Sequence, residues 1–273
     1  MGADHRPFLL HHEVHVRSGQ GPWLVLLHGA GGSLNTWKRQ VAGLREHYDL
    51  LLVDLPGHGG SAGKPGLPEA YSFDLVADLV WDAVDQHTDG PVHLMGVSLG
   101  TVIALKMRQR RPDRVRALIN AGAILKLSAR IKFLAAISLR LARVIGYPAF
   151  YRMNARIMLP KKNHRLSRLM FIRESAALTD EEFRKWTAMY RTLDRTLKEL
   201  FREPDGPPHL VVMGDEDHFF LEPAREYAAG HPNVRLEVFQ NCGHVVSIEQ
   251  ARKFNETCIN FLTTLGQEKT VLP

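Results

Sequence analysis

Residues 96–100 read Gly96-Val97-Ser98-Leu99-Gly100, and this short stretch decides how the rest of the sequence is interpreted. The apolar run at residues 91–95 predicts a β-strand before it, and residues 101–110 predict a helix after it. A serine at such a sharp turn is held in a strained backbone conformation, and flanking glycines avoid collisions with the neighbouring strand and helix. We therefore expect the Ser98 hydroxyl to project above the carboxyl edge of a sheet.

Strand and helix patterns alternate on both sides of this stretch. Residues 8–17 predict an opening antiparallel strand or hairpin. Buried strands are predicted at residues 23–27, 50–53, 92–95, 115–120, 209–213 and 234–239. Helical patterns between them favour an α/β fold in which a mostly parallel central sheet is covered by helices on both faces. Ligands of such sheets bind beyond the carboxyl ends of the strands.

The alternation stops after residue 121. About eighty residues follow with helical patterns only, and a structureless loop of that length is improbable. The predicted organisation is a core domain formed by residues 1–121 and 206–273, with an inserted all-helical cap over residues 122–205.

Composition places the sequence among ordinary globular proteins, with 45% hydrophobic and 23% charged residues. Residues 1–20 contain charges and four histidines but no sustained apolar run. They predict neither a signal peptide nor a transmembrane segment, so a cytoplasmic location is expected. The two cysteines, Cys242 and Cys258, lack a Cys-x-x-Cys spacing, and the three histidines of residues 11–15 fit an exposed strand face. No metal site and no cofactor is expected.

Positive charge is concentrated in the predicted cap. Residues 121–202 contain 18 Lys plus Arg and 6 Asp plus Glu, a net charge of +12, whereas the whole sequence carries +6, so the remainder carries −6. One interpretation is a solvated face whose long side chains shield an apolar surface. The alternative is an anionic partner: an acyl chain on a phosphorylated carrier, a carboxylate substrate, or anionic lipid at a peripheral membrane contact. Nucleic acid is not expected, because no recognition motif accompanies the charge.

Two later strand ends supply partners for the serine. A serine hydroxyl becomes a useful nucleophile when a base accepts its proton and a carboxylate fixes the tautomer of that base. Residues 214–218 read Gly-Asp-Glu-Asp-His, and residues 241–244 read Asn-Cys-Gly-His. The resulting order of serine, acid and histidine is the order expected after a serine turn of this kind. The pattern alone leaves Asp215, Glu216 and Asp217 open as the acid.

Four separated motifs resemble the α/β-hydrolase superfamily, and the resemblance extends from about residue 8 to residue 265. The motifs are His-Gly-Ala-Gly at residues 28–31, Asp-Leu-Pro-Gly-His-Gly at residues 54–59, the serine turn, and Cys-Gly-His at residues 242–244. The resemblance implies that the acid lies three residues after the glycine that ends its strand, which selects Asp217, and that His244 is the base. It also implies an oxyanion hole formed by the backbone N–H groups of Ala30 and Leu99.

The motifs leave the substrate-binding residues undetermined. His28 and His218 are candidate pocket residues, although His28 is expected mainly to orient the glycine-rich loop through hydrogen bonds. Trp37 and Phe219, together with Phe220, are candidate substrate contacts, although aromatic residues at such positions more often belong to the core. His58 lies near the same edge and fits no position in a Ser–His–Asp arrangement.

The activity implied by this resemblance is a serine hydrolase that cleaves a small-molecule carboxylic ester or thioester through an acyl-enzyme on Ser98. A lyase or a cofactor-free oxygenase would use the same residues for proton abstraction, and a noncatalytic ligand receptor is an alternative from another class. Proteins with a similar Asp-Leu-Pro-Gly-His-Gly segment include carboxylesterases, carrier-protein methyl-ester esterases, lactonases and lyases of menaquinone synthesis. The sequence leaves open the acyl group, the leaving group and the oligomeric state.

Overall fold

The computed structural model describes residues 8–19, 21–202 and 206–268. The strands are β1 (His12–His15), β2 (Trp23–Leu27), β3 (Asp49–Val53), β4 (Val92–Val97), β5 (Val115–Ala121), β6 (His209–Gly214) and β7 (Val234–Phe239). They form one seven-stranded sheet in the order β1-β3-β2-β4-β5-β6-β7. Strand β1 pairs antiparallel with β3, and the other pairs are parallel. The predicted α/β fold with a mostly parallel sheet is confirmed.

Helices connect the strands and cover the sheet. They are α1 (Lys38–Leu44), α2 (Phe73–Val84), α3 (Leu99–Arg110), α4 (Ala129–Ile145), α5 (Tyr147–Met158), α6 (Arg165–Ser175), α7 (Asp180–Met189), α8 (Leu193–Phe201), α9 (Leu221–Gly230), α10 (Val246–Glu249) and α11 (Ala251–Glu268). Before α1, the Ser33 side chain accepts a hydrogen bond from the Asn35 N–H and caps a short 3-10 helix.

Alternation along the strands builds a separate core on each face of the sheet. In β2, Val25 and Leu27 pack in the core that includes α2, α3 and α9, whereas Leu24 and Leu26 pack in the core that includes α11. Successive side chains of a strand point to opposite faces, so a strand buried on both faces needs an unbroken apolar run. This requirement explains the Trp-Leu-Val-Leu-Leu sequence of β2, in which every residue is buried.

Only helices occupy the described part of the segment between β5 and β6. Helix α4 packs against α5 and α5 against α6, while α6 also contacts α10 and α8 contacts α3. The predicted cap boundary at residue 205 lies outside the described residues, as do residues 1 and 273. In the described ranges, no helix is both long and apolar enough to cross a bilayer.

Candidate active site

Ser98 lies at the turn between β4 and α3. Its φ angle is +53°, in the left-handed region that non-glycine residues rarely adopt. The two glycines of the motif are required by close packing. A Cβ atom on Gly96 would lie 2.5 Å from the backbone of Gly100, and one on Gly100 would lie 2.2 Å from the carbonyl oxygen of Leu27. The turn therefore holds Ser98 against the end of β2.

The structure brings Ser98, His244 and Asp217 into one hydrogen-bonded array. The Ser98 Oγ–H donates to His244 Nε2 at 2.9 Å, and the His244 Nδ1–H donates to Asp217 Oδ2 at 2.7 Å. These donor roles follow from the partners, since a carboxylate at Nδ1 fixes the neutral ring as the Nδ1–H tautomer. His244 Nε2 is then unprotonated and placed to accept the serine proton.

The geometry distinguishes Asp217 from the two other acids of its turn. The Asp217 side chain is buried, and its Oδ1 accepts hydrogen bonds from the backbone N–H groups of Phe219 and Phe220 at 3.3 and 3.2 Å. Asp215 instead accepts from the N–H of Cys242 at 3.1 Å. Glu216 points to the segment between α5 and α6. Of the three carboxylates left open by the sequence pattern, only Asp217 contacts the base.

Two backbone N–H groups lie beside the serine. Ala30 and Leu99 both border the cavity that contains Ser98. Within residues 8–19, 21–202 and 206–268, neither N–H group has a protein acceptor. Leu99 is also the first residue of α3, where the helix dipole adds positive potential. This arrangement fits the oxyanion hole that the resemblance implies.

Two buried histidines hold the loop that carries Ala30. The Gly31 N–H donates to His58 Nε2 at 3.1 Å, and the Leu55 N–H donates to His28 Nε2 at 3.0 Å. Burial lowers the pKa of both imidazoles, and burial with His28 nearby lowers the pKa of His58 to about 3. Both rings therefore stay neutral and keep Nε2 free to accept. No role was predicted for His58 from the motifs. The signal for one was a histidine in the turn that follows β3, the strand beside β2.

The array opens into an apolar cavity of about 320 Å³. Strand-end residues form its floor, while helices α4, α5, α6 and α8 supply its walls. Wall residues include Ile131, Ala135, Met158, Phe171 and Leu193. Such a lining favours an apolar ligand, with specificity set by the few polar groups that point inward.

Glu174 is a carboxylate in this lining. Its Oε2 accepts hydrogen bonds from the Ser33 hydroxyl at 2.5 Å and from the Asn35 side-chain amide at 3.2 Å. These bonds tie α6 to the loop that follows β2. They also satisfy a charge that would otherwise be costly beside an apolar cavity.

Four of the five candidate residues do not line the cavity. His28 is fully buried, and both of its ring nitrogens bond to backbone groups. Trp37 is fully buried in the core that includes α11. His218 is exposed, and Phe219 packs against the core beside α9. Phe220 lines the cavity instead, with its ring centroid 5.3 Å from that of His244.

His164 connects the helical segment to the turn that carries Asp217. The His164 Nε2–H donates to Glu216 Oε2 at 2.7 Å, and the Lys161 ammonium donates to Glu216 Oε1 at 2.6 Å. The Lys161 and Asn163 hydrogen bonds lower the pKa of Glu216 to about 2. Glu216 is therefore a carboxylate anion at neutral pH and anchors this connection.

A second contact joins α6 to the loop that carries His244. Glu249 accepts hydrogen bonds from the Gly243 N–H at 2.7 Å and from the Ser167 hydroxyl at 2.9 Å. A Cβ atom on Gly243 would lie only 2.7 Å from the ring of His164. The backbone of the His244 loop therefore packs directly against the helical segment.

No group of three or more His, Cys, Asp or Glu side chains is placed to hold a metal ion within the described residues. Cys242 and Cys258 are both buried and are not bonded to each other.

Comparisons with known proteins agree with this architecture. A family model described as the alpha/beta hydrolase family matches residues 24–257. A 2-hydroxy-6-oxononadienedioate/2-hydroxy-6-oxononatrienedioate hydrolase of Escherichia coli (strain K12) is 26% identical over 267 residues, which cover 89% of this chain and 88% of that protein. A pimeloyl-[acyl-carrier protein] methyl ester esterase of Aeromonas salmonicida is 38% identical over 107 residues, covering 39% of this chain and 40% of that protein.

A solved structure shows the same fold. An esterase from Exiguobacterium antarcticum superposes with a TM-score of 0.77 at 22% identity, covering 93% of this chain and 95% of that one.

Proposed function

Because the chain belongs to the alpha/beta hydrolase family and is a hydrolase of that family, we propose that it cleaves a carboxylic ester or thioester through an acyl-enzyme on Ser98. The hydrogen-bonded array carries this proposal. Its Ser98–His244 and His244–Asp217 distances are 2.9 and 2.7 Å, and it lies at the floor of an apolar cavity. Nucleophile, base and orienting acid are thus within direct hydrogen-bonding reach of each other.

Acylation begins when Ser98 Oγ bonds to the carbonyl carbon while its proton passes to His244 Nε2. The carbonyl π electrons move onto oxygen, and the N–H groups of Ala30 and Leu99 donate to the resulting oxyanion. Removing one such donor typically costs about 3 to 4 kcal/mol of transition-state stabilisation. Collapse of the intermediate then breaks the bond to the alcohol or thiol, which takes the proton from His244.

Deacylation repeats these steps with water as the nucleophile. His244 accepts a proton from water as its oxygen attacks the acyl carbon, and then returns that proton to Ser98 Oγ. The carboxylic acid leaves and the serine is regenerated. In both halves, the Asp217 carboxylate stabilises the transient imidazolium and holds its tautomer, so no cofactor is needed for the proton transfers.

We also propose that residues 122–205 form a cap that selects the acyl group. Ile131, Ala135, Met158 and Phe171 come from this segment and line the cavity. Their apolar character supports a small or medium acyl chain as the group bound there, with the polar leaving group outside.

The decisive experiment is a search for acyl-Ser98. Purified protein is assayed against p-nitrophenyl esters of graded chain length, lactones and acyl thioesters, and the best substrate is quenched rapidly for peptide mass spectrometry. We expect an acyl group on the Ser98 peptide. Ser98→Ala should lower kcat/KM by roughly four to six powers of ten without changing the thermal unfolding midpoint.

Ser72→Ala is the matched control, because Ser72 caps α2 away from the site. It should retain the parent rate. A Ser98→Ala variant with the parent rate would contradict the proposal. Product formation without an adduct, combined with exchange of a substrate C–H proton, would identify the proton-abstracting alternative. No turnover with tight ligand binding would identify the receptor alternative.

A further inference from the structure

Helix α4 presents a second apolar face, which is exposed to solvent and lies beside the face that lines the cavity. Ile131, Ala135 and Ser138 line the cavity. Six large apolar side chains among the described residues of α4 are exposed to solvent: Phe133, Leu134, Ile137, Leu141, Val144 and Ile145. At about 100° per residue, these six positions fall within an arc of roughly 120°. The helix is therefore apolar toward the cavity and again toward solvent.

The neighbouring helices add to this exposed surface. Ile157 of α5 and Leu166 and Leu169 of α6 are also exposed. Together with the six side chains of α4, they make up what we call the outer apolar face. Of the ten exposed large apolar side chains in the described residues, nine belong to this face and the tenth is Val16. Such concentration on one region marks an interaction surface, whereas scattered exposure would need no explanation.

The sequence segment that carries the face contains charges of one sign. Residues 121–173 contain 12 Lys plus Arg and no Asp or Glu. Lys126, Lys132 and Lys161 pair with carboxylates from other segments. A further set is exposed without a carboxylate partner in the part of the chain that the structure describes: Arg130, Arg140, Arg152, Arg156 and Arg165. The uncompensated positive charge therefore accompanies the outer apolar face.

The position of the charge within α4 matters. On the helical wheel, Arg140 lies about 20° outside the apolar arc, and Arg130 lies inside it near the N-terminal end. The long arginine side chains at these places let their guanidinium groups contact an anionic layer while the neighbouring apolar side chains contact an apolar one. An apolar stripe with basic residues at its edge is the pattern of helices that lie at the surface of an anionic bilayer.

Charge also decides between possible occupants. A symmetric dimer would bring this face against its own copy, placing positive charge opposite positive charge with no carboxylate from residues 121–173 to offset it. A bilayer that contains anionic lipid offers an apolar layer for the exposed apolar side chains and a negative surface for the arginines. We propose that the outer apolar face of α4 to α6 is a docking surface for an anionic lipid bilayer.

Vesicle sedimentation tests this proposal with the full chain. The protein is mixed with vesicles of phosphatidylcholine alone or of phosphatidylcholine with phosphatidylglycerol. We expect binding to the anionic vesicles, weaker binding to the neutral ones, and release as salt is raised, because exposed charges are screened. The triple variant Phe133→Ser, Ile137→Ser, Val144→Ser should bind about tenfold more weakly, since it removes three apolar contacts from the arc.

Two matched controls test whether vesicle binding depends on the outer apolar face and its arginines. Val16→Ser removes an equally exposed apolar side chain elsewhere and should bind as the parent does. Arg130→Gln with Arg140→Gln should weaken binding to anionic vesicles, whereas Arg252→Gln, on exposed α11, should not. Circular dichroism and thermal unfolding establish that each variant is folded. Ser98→Ala should bind like the parent, which separates this test from the test of the proposed hydrolase activity.

Several outcomes would overturn the proposal. Equal binding to neutral and anionic vesicles would remove the role of charge, and absence of binding to either would remove the docking surface. A folded triple variant that binds as tightly as the parent would place the contact elsewhere. A parent dimer in sedimentation velocity that the triple variant dissociates would assign the face to a second copy of the chain.

Discussion

The carboxyl edge of the sheet and the helices of residues 129–201 border the same cavity, but they are built differently. At the sheet edge, Ser98, Asp217 and His244 each lie within a few residues of a strand end, and each has its position set by backbone hydrogen bonds or close glycine contacts. The helices present side chains whose positions depend on how each helix packs against the next. The sheet edge supplies the reactive groups, and the helices determine the shape of the cavity.

This difference explains where apolar residues are exposed. Strands β2, β3, β4 and β6 are buried on both faces, whereas α4 contacts the cavity on one face and leaves a second apolar face in solvent. Changes at the edge should therefore alter the rate of the chemical step, and changes in the helices should alter selectivity, binding or stability by smaller amounts. The predictions below test that division.

After Ser98→Ala, the largest effect is expected for Asp217→Asn. The N–H groups of Phe219 and Phe220 donate to Asp217 Oδ1, so the Asn carbonyl oxygen should occupy that site and its NH₂ group should face His244. His244 would then carry its proton on Nε2 and could not accept one from Ser98. We expect kcat/KM to fall about 10⁴-fold, measured with the best ester of the panel.

Asp215→Asn is the control for this change, because Asp215 bonds to the N–H of Cys242 and not to the base. It should stay within about tenfold of the parent, since it leaves the tautomer of His244 unchanged. Equal losses in the two variants would contradict the assignment of Asp217, and not Asp215, as the acid that orients His244.

Ala135→Phe should change selectivity, because Ala135 lines the cavity and a phenyl ring would fill part of it. We expect kcat/KM for the longest accepted acyl chain to fall roughly 10- to 100-fold, with short chains nearly unaffected. The next residue of α4 provides the control: Ala136 is exposed and outside the lining, so Ala136→Phe should leave the chain-length profile unchanged. A uniform loss for all chain lengths would contradict a role in acyl selection.

His58 should make stability depend on pH. Its folded pKa of about 3 lies below its ordinary value of 6.5, so between these values the unfolded chain binds more protons and the free energy of unfolding rises with pH. The slope contributed by one such histidine is at most about 1.4 kcal/mol per pH unit. Urea unfolding between pH 4 and 7 should give a smaller slope for His58→Gln. Equal slopes would contradict a buried neutral His58.

Glu216→Gln should have the smallest effect, a loss of about 1 kcal/mol in the free energy of unfolding at neutral pH. The folded pKa of Glu216 is depressed to about 2 from 4.5, so its contribution is present above pH 4.5 and is lost as the pH falls toward 2. Urea unfolding should therefore show the parent and the variant converging in acid. Glu226→Gln, in an exposed pair with Lys126, is the control and should cost less. A difference that grows in acid would contradict this assignment.

How far the sequence predicts the molecule follows the same division. The strands, and the strand-end turns that carry Ser98, the acid and His244, were predicted because strand periodicity and turn residues are local patterns. The choice of Asp217 among the three acids of its turn came from the family resemblance. The family was confirmed by the match over residues 24–257. The helical character of the inserted segment was likewise readable from apolar spacing.

The cavity lining was not accessible, because it depends on which face each helix turns inward. Phe219 and Phe220 are adjacent in sequence, yet only Phe220 lines the cavity. Glu216 and Asp217 are also adjacent, yet one contacts His164 and the other contacts His244. Local patterns do not resolve such one-residue differences, because tertiary contacts set them.

The close approach of Gly243 to His164 has a consequence for engineering. A graft that exchanged residues 122–205 for the corresponding segment of a relative would be designed to change acyl preference alone. It would also delete His164, which packs against Gly243, and Ser167, which donates to the Glu249 side chain that holds the Gly243 N–H. A transplanted segment therefore has to reproduce this contact, with a ring that fits against the glycine of the His244 loop. Only then is its effect on substrate choice interpretable.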